Sequence, residues 1–517
     1  MTKIKKFLKK HWFIITILIL CIARFLFTYK LPSFYLFRMK YDDQLYVKLL
    51  YSLAKGKYLG LYCVRTLVKG PFFAFVLLIA VVYKISFSSL LTILYILSCI
   101  YFIYSLKYII KNKKYLIIIF VVLLFNPVTY SQDLFQRLYR NSISITELLF
   151  FFGIVIRILT YKNKKIFNNI SLGIITASML LTREDNLWIY PVIGFIIIYS
   201  FFKNKKIKTL VINFIPIIVI VLSLNLVSFI NYKHYGIYTY NEIQKSEFHN
   251  TYKKILQIKD DEKKDKVSIP KSTLYKLAEN AKTFNFTKEE IDGYYKFYSD
   301  LNGEIYNGNI IWSFRDIIYK KNKFKSGKEA EQYFKKLGEE IDKLFEKGTL
   351  KKEFIMPSVF MAVPTSDNLK KLPKNVLKTI GYTTTYKNIK TMTDTKKYKY
   401  DKELGTYFFN YYDYHHTVNI VKKNPLKYEI IRQIYKWFTI VFSILAILIY
   451  FKNIKKFDEI SIVSHILMVC YLLIVGGVAY THTTAFHAIR PLYLGNVYIL
   501  QSIFIGVNLY RLRVIKK

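Results

Sequence analysis

The sequence predicts an all-α polytopic membrane protein of about ten or eleven transmembrane helices, with a mainly helical extracytoplasmic insertion. The chain has 517 residues, is 53% hydrophobic and yet carries a net charge of +44. These properties are segregated, because long apolar runs alternate with short lysine-rich clusters. Such alternation is typical of multi-pass membrane proteins, in which basic clusters orient the spans.

The apolar runs give the order of the spans. The first, 12–29, follows the basic flank MTKIKKFLKK and no A-x-A cleavage pattern comes after it, so we expect an uncleaved signal anchor. The other predicted spans are 88–109, 115–128, 143–160, 166–183, 187–202, 208–230, 436–452, 459–480 and 486–510.

The apolar run that starts at Gly70, GPFFAFVLLIAVVYKIS, decides the number of crossings. If this run only dips into the membrane interface, every basic cluster between spans lies in the cytoplasm, as the positive-inside rule requires. That interpretation gives about ten crossings with both ends cytoplasmic, whereas a full crossing would give about eleven.

This topology divides the chain into three parts. Residues 1–230 form an N-terminal membrane module whose first outer loop is 30–87, residues 231–435 form the extracytoplasmic insertion, and residues 436–517 form C-terminal membrane helices. The insertion is predicted to be helical because it has capping-box signals at Ser326 and Glu329 and at Thr287 and Glu290.

Several function classes are excluded by absent motifs. The four cysteines form no CxxC pattern or disulfide framework, and there is no internal repeat, Gly-rich phosphate loop or nucleic-acid motif. The basic charge is therefore interpreted as membrane orientation and as attraction to anionic lipid or phosphate groups.

Ionisable residues crowd the predicted outer end of the bundle. Such residues are costly at membrane depth and indicate function. The acidic candidates for catalysis are Asp42, Asp43 and Asp133. The candidates for substrate binding are Lys69, Arg183, Glu184, Asp185, His487, Arg490 and Tyr493.

Each candidate has a structural alternative. The acidic pair could cap the helix that follows it, and Asp133 could pair with Arg137 one helical turn later. Lys69 could extend to lipid headgroups, and the segment TREDNLW could be an interfacial anchor. His482 and His487 are spaced poorly for a shared metal ion.

One further cluster precedes the return to the membrane. The segment YYDYHH contains Asp413, His415 and His416 and is either part of an acceptor site or a surface loop.

The order of these motifs resembles the GT-C superfamily of integral-membrane glycosyltransferases. The resemblance rests on the acidic pair after the first span, on Lys-Gly-Pro in VKGPFFAF, on Asp133, on Thr182-Arg183, and on Arg-Pro-Leu-Tyr before the last span. The approach segment VKKNPLKYEIIRQIYKWF (421–438) is also similar. The resemblance covers roughly 1–230 and 420–517. The family often has Asp-Glu and Lys-Pro-Pro where this chain has Asp-Asp and Lys-Gly-Pro.

The resemblance implies sugar transfer from a polyprenyl-phosphate carrier to an envelope glycan, lipid or protein on the outer face of a bacterial cytoplasmic membrane. It implies that Asp42 or Asp43 takes the acceptor's proton. It also implies that Lys69, Arg490 and Arg183 contact the departing phosphate. Asp133 corresponds to an acid that orients the acceptor or, in some relatives, binds a divalent cation.

Two rival functions stay open. An O-antigen-type polymerase has a similar number of spans and a large outer loop, and its product would be a growing polysaccharide rather than a single added sugar. A lipid-linked-sugar transporter or flippase would need polar residues at the membrane midplane and repeated, broken helices.

Overall fold

Long apolar helices make up both ends of the chain in the computed structural model, which describes residues 2–29, 31–35, 42–160, 165–263, 266–299, 303–354, 365–393 and 425–515. Only isolated β-bridges occur besides helices in these ranges. The N-terminal helices are α1 Thr2–Thr28, α2 Asp43–Ala54, α3 Phe72–Tyr83, α4 Phe87–Leu106, α5 Lys113–Leu124, α6 Asn141–Thr160, α7 Lys165–Thr182, α8 Ile189–Asn204 and α9 Ile207–Tyr235.

The remaining helices belong to the insertion and to the C-terminal membrane part. They are α10 Glu247–Leu256, α11 Lys271–Asn280, α12 Lys288–Tyr298, α13 Asn307–Asn322, α14 Gly327–Glu346, α15 Ser366–Thr384, α16 Leu426–Lys452, α17 Glu459–Thr484 and α18 Pro491–Ile515.

Nine helices of the described ranges are long and apolar enough to cross a membrane. They coincide with nine of the predicted spans, so the protein is a polytopic helical membrane protein. These segments are Lys5–Thr28, Phe87–Leu106, Asn141–Thr160, Lys165–Thr182, Asn186–Lys203, Ile207–Tyr235, Leu426–Lys452, Glu459–Thr484 and Pro491–Leu512.

The predicted span 115–128 is a shorter helix than expected. The α5 helix ends at Leu124, Asn126 caps a 3-10 turn over Pro127–Tyr130, and a π-helical turn follows at Gln132–Gln136. Proline lacks the amide hydrogen that an α-helix needs at this point, which explains the break.

The broken segment nevertheless runs antiparallel to α18 along most of that helix. The Tyr115 ring contacts the Tyr510 ring, Asn126 donates to Ser502 over 3.1 Å, and Asn141 donates to the carbonyl of Leu492. The distance along α18 from Leu492 to Tyr510 is about 27 Å, close to the thickness of the hydrocarbon core. Non-helical backbone is tolerated at membrane depth where protein buries it, so the break after Leu124 is compatible with the predicted crossing at 115–128.

The neighbours of this pass support its direction. Arg157 on α6 donates to Ser105 on α4 over 2.8 Å, and Gly153, four residues before Arg157, packs against Tyr101, four residues before Ser105. The α4 and α6 helices are therefore parallel, and the chain between them must return across the bundle. By contrast, α3 is only about 18 Å long, which agrees with the predicted dip rather than an eleventh crossing.

The described part of the insertion has its own apolar core, which includes Tyr252, Phe314, Leu337 and Ile341. Thr287 and Glu290 form the predicted capping box at the start of α12. At the start of α14, Ser326 accepts from the amide of Glu329 as predicted. The described part of the insertion is therefore helical, as the sequence predicts.

Polar contacts join the insertion to the first outer loop. Arg315 on α13 is fully buried and forms an ion pair with Glu242, and it donates to the carbonyl of Val64 over 2.8 Å. Arg65 pairs with Asp316 at 2.8 Å. Because a buried charge must be paired to be stable, these contacts fix α13 over the loop that leads to Lys69.

Candidate active site

The two adjacent aspartates have different surroundings. Asp43 is the first residue of α2, and its side chain is fully buried. Arg137 donates to its two carboxylate oxygens, from Nε over 2.6 Å and from Nη2 over 2.5 Å. Asp42 keeps 28% of its side chain exposed, lies 3.5 Å from Nζ of Lys69 and accepts from the Tyr139 hydroxyl over 3.4 Å. Asp42 makes no side-chain capping hydrogen bond, so helix capping does not account for it.

Arg137 lies directly after the π-helical turn and fixes the geometry around Asp43. The sequence spacing would allow Arg137 to pair with Asp133, but its guanidinium makes the bidentate contact with Asp43. Its other face lies 4.9 Å from the ring of Tyr139. Bidentate arginine–carboxylate pairs are strong and directional, so Arg137 holds the start of α2 against the segment 129–142, the predicted second outer loop.

Glu184 joins two cations just beyond the end of α7. Lys69 donates to it over 2.6 Å, and Arg140 contacts it with both terminal nitrogens. Burial alone would raise the pKa of Glu184, but the charges of Arg140 and Lys69 hold it well below its usual range. The carboxylate is therefore ionised, and its single negative charge is shared by the two cations.

The glycine of the Lys-Gly-Pro motif explains how Lys69 reaches Glu184. A Cβ atom at Gly70 would lie 1.8 Å from the carbonyl oxygen of Leu181, so only glycine allows this approach to the end of α7. The side chain of Lys69 is 4% exposed, and its ammonium lies 4.8 Å from the ring of Trp312 on α13. The departure from Lys-Pro-Pro is thus a packing requirement of this chain.

Arg183 connects three helices at the same end of the bundle. It pairs with Asp185 through Nε at 2.8 Å, and its Nη1 contacts Asn141 at 2.5 Å and the carbonyl of Leu492 at 3.5 Å. Its side chain is 8% exposed, whereas that of Asp185 is 55% exposed. Arg183 therefore ties the end of α7 to the starts of α6 and α18.

Asp133 lies within electrostatic range of Arg490. Asp133 is half-buried in the π-helical turn, and burial raises its pKa. The charges that act on it include those of Arg137, Asp43 and Arg490. Arg490 is exposed.

The turn between α17 and α18 carries the remaining predicted residues. The rings of His482 and His487 are 5.4 Å apart, and the ring of Tyr493 lies 5.6 Å from that of Phe486. Within the described ranges, no group of three or more His, Cys, Asp or Glu side chains could hold a metal ion. The divalent cation at Asp133 stays a prediction, and the segment with Asp413, His415 and His416 lies outside the described residues.

Three residues of the cluster were not candidates in the sequence. Arg140 and Tyr139 share a loop with Asp133, and this proximity in sequence was a usable signal. Trp312 gave no signal, because it reaches Lys69 from the insertion more than two hundred positions away.

Comparisons with known proteins give one likeness. No protein-family model matches the sequence, and no curated protein matches it. The fold is similar to the crystal structure of the Archaeoglobus fulgidus oligosaccharyltransferase tethered with an acceptor peptide containing the NVT sequon via a disulfide bond, with a TM-score of 0.43 and 10% sequence identity. The match covers 98% of this chain and 50% of that chain, so this chain spans about half the length of that protein. A likeness of this size carries no functional argument.

Proposed function

We propose that this protein is a membrane glycosyltransferase of the GT-C type. It moves a sugar from a polyprenyl-phosphate-linked donor to an envelope glycan, lipid or protein acceptor on the extracytoplasmic face of a bacterial cytoplasmic membrane. One observation carries the proposal: acids and cations from distant segments of the chain come together at one end of the bundle. They are Asp42, Lys69, Asp133, Glu184 and Arg490. The order of motifs that resembles the superfamily supports the same reaction.

Asp42 is the better candidate for the general base. A base must reach the proton that it removes, and Asp42 has the exposed carboxylate of the pair. In the reaction, the acceptor oxygen or nitrogen attacks the anomeric carbon, its proton passes to Asp42, and the bond from the anomeric carbon to the phosphate oxygen breaks. Lys69 and Tyr139 contact the same carboxylate and hold it in place.

Asp43 acts through Arg137 in this proposal. Its carboxylate is fully buried and both oxygens are engaged, so it cannot contact the acceptor directly. Its role is to fix the first outer loop to the second through the ion pair with Arg137, so that Asp42 lies at a fixed distance from Asp133. Asp133 then orients the acceptor, and Arg490 offsets the negative charge that grows on the departing phosphate.

An apolar groove on α16 suits the lipid part of the donor. It encloses about 660 Å³ and is lined by Glu429, Ile430, Gln433, Ile434, Trp437, Phe438, Val441 and Phe442. The charge of Lys390 acts on both Glu429 at the mouth of the groove and Asp133 in the cluster. A polyprenyl chain in this groove would therefore bring its phosphate toward the cluster.

The test is a product assay with the full chain in lipid nanodiscs. A panel of synthetic polyprenyl-phosphate sugars is offered with glycan, lipid and peptide acceptors, and products are identified by mass spectrometry. The proposal expects addition of one sugar with release of polyprenyl phosphate, and loss of that product in Asp42→Asn. Chain-length growth would instead favour a polymerase, and movement of lipid-linked sugar across the bilayer without bond formation would favour a transporter.

A further inference from the structure

Four basic side chains converge on the turn between α17 and α18, at residues 485–490. We propose that Lys266 and Lys378, both from the insertion, form with His487 and Arg490 a binding site for a phosphate group. The presence of an anion site rests on the geometry of these residues. Its identification with a phosphate of the donor or of an acceptor rests on the proposed function.

Lys266 is held beside the end of α17 by its backbone. Its carbonyl accepts from the amide of Asn307 over 3.0 Å, and the Asn307 side chain donates to the carbonyl of Thr484 over 2.9 Å. Lys266 has φ of +65°, a left-handed conformation that costs energy for a residue with a Cβ atom. Such conformations persist where surrounding contacts impose them, and here those contacts direct the residue to the turn.

Lys378 approaches the same turn from α15. On α15, Asn375 donates to the hydroxyl of Thr483 over 2.8 Å, which docks this helix on the end of α17. Lys378 lies three residues after Asn375, so it occupies the same face of α15. Its side chain is exposed.

The two histidines complete the turn. The Nδ1 atom of His482 accepts from the amide of Ile489 over 3.3 Å, which brings the turn back to this ring. The ring of His487 lies 5.4 Å away and is tilted by 53°. The pKa of His487 is lowered by partial desolvation and then by the positive charges of Lys266, Arg490 and Lys378. These positive charges all act at the turn, and an anion bound there would be attracted by each of them.

A phosphate fits this arrangement better than a single carboxylate does. It carries between one and two negative charges and three acceptor oxygens, which suits cations that approach from several directions. Arg490 offers a planar fork, and the two lysines offer mobile point charges. Lys378 and Arg490 are also exposed, whereas the side chains of Lys69, Arg140 and Arg183 are nearly buried.

The proposed phosphate site assigns a role to the insertion. The sequence resemblance covers the membrane part of the chain and leaves the insertion without a role, whereas two of the four proposed phosphate ligands come from it. The predicted phosphate ligand Arg490 then works with residues of the insertion rather than with Lys69 and Arg183.

The experiment removes two charges without touching the carboxylate cluster. The variant Lys266→Gln/Lys378→Gln is compared with Lys335→Gln/Lys336→Gln, which neutralises two exposed lysines on α14 of the same insertion. Each full-length protein, in phosphatidylcholine nanodiscs, is titrated with farnesyl phosphate, with farnesol and with a soluble glycerol-phosphate oligomer, and empty nanodiscs give the background. Melting temperatures check that the variants fold, and Lys378→Gln alone serves if the double variant does not.

We expect the first variant to bind a phosphate probe about tenfold more weakly, and the α14 variant and farnesol binding to be unchanged. A loss confined to farnesyl phosphate assigns the site to the donor, and a loss confined to the oligomer assigns it to an acceptor polymer. Unchanged binding of both phosphate probes, or an equal loss in the α14 variant, would overturn the proposal. Binding requires no sugar transfer, so the result is independent of whether Asp42→Asn abolishes transfer.

Discussion

Replacing the two adjacent aspartates one at a time should separate catalysis from stability. Asp42→Asn removes a half-exposed carboxylate whose contact with Lys69 is 3.5 Å long, while Lys69 keeps its 2.6 Å contact with Glu184. Exposed ion pairs contribute at most about 1 kcal/mol, so we expect little loss of stability. A positioned general base contributes about 10²–10⁴-fold to the rate, and transfer should fall by that factor.

Asp43→Asn should have a different effect. It leaves the guanidinium of Arg137 buried without its carboxylate, and breaking such a pair from one side costs about 3–5 kcal/mol. We expect the lower end of that range, because the asparagine amide still offers one acceptor oxygen. Transfer should also fall, since the first outer loop is then no longer fixed to the second.

The assay measures the melting temperature and the initial rate of sugar transfer for both variants in the same nanodiscs. The double change Asp43→Asn/Arg137→Met replaces the broken pair by an apolar contact and should recover much of the stability. If Asp42→Asn transferred sugar at the wild-type rate, or if Asp43→Asn melted at the wild-type temperature, the assignment of separate tasks to the two carboxylates would be refuted.

Three further changes test the surroundings of this pair. Glu184→Gln removes a carboxylate whose pKa is depressed, so its stabilising contribution is present above pH 4.5 and lost at lower pH. The variant should have a lower melting temperature than the wild type at pH 7, and this difference in melting temperature should narrow on acidification below pH 4.5. An unchanged gap between pH 7 and pH 3.5 would contradict this. Gly70→Ala should displace Lys69 and lower both melting temperature and transfer, whereas Gly194→Ala, where the added Cβ meets no atom within 4 Å, should alter neither. Trp312→Ala should reduce transfer several-fold through loss of a cation–π contact that contributes about 0.5–2 kcal/mol, and Trp312→Phe should retain most of it; equal rates for all three proteins would exclude a role for the ring.

The membrane part of the fold was predictable from hydropathy and charge. Nine spans agree with helices of the structure, and the dip at α3 follows from placing the basic clusters on one side. The span at 115–128 was predicted as one helix because its apolar run continues to the end of α5. Asn126 and Pro127 are the residues that signalled the break, since one caps a new turn and the other cannot continue the helix.

Several residues that the sequence singled out contact one another in the structure, but their pairings were not predictable. Asp133 and Arg137 are one helical turn apart in sequence, which favours a local pair, yet the turn is π-helical and the arginine contacts Asp43. Lys69 was expected to meet a phosphate, and it is instead engaged by Glu184 because Gly70 lets the backbone approach α7. Such pairings depend on the tertiary distance between loops, about which a single sequence carries no information.

The carbonyl of Leu492 has a consequence for biogenesis. It accepts hydrogen bonds from Asn141 and Arg183, so the framework of the cluster is completed by the helix that the ribosome delivers last of those described. A nascent chain with its first eight or nine spans already in the bilayer would still lack this closing contact. Co-expressed fragments divided within the insertion should therefore form this closing contact only when both halves meet in the same membrane.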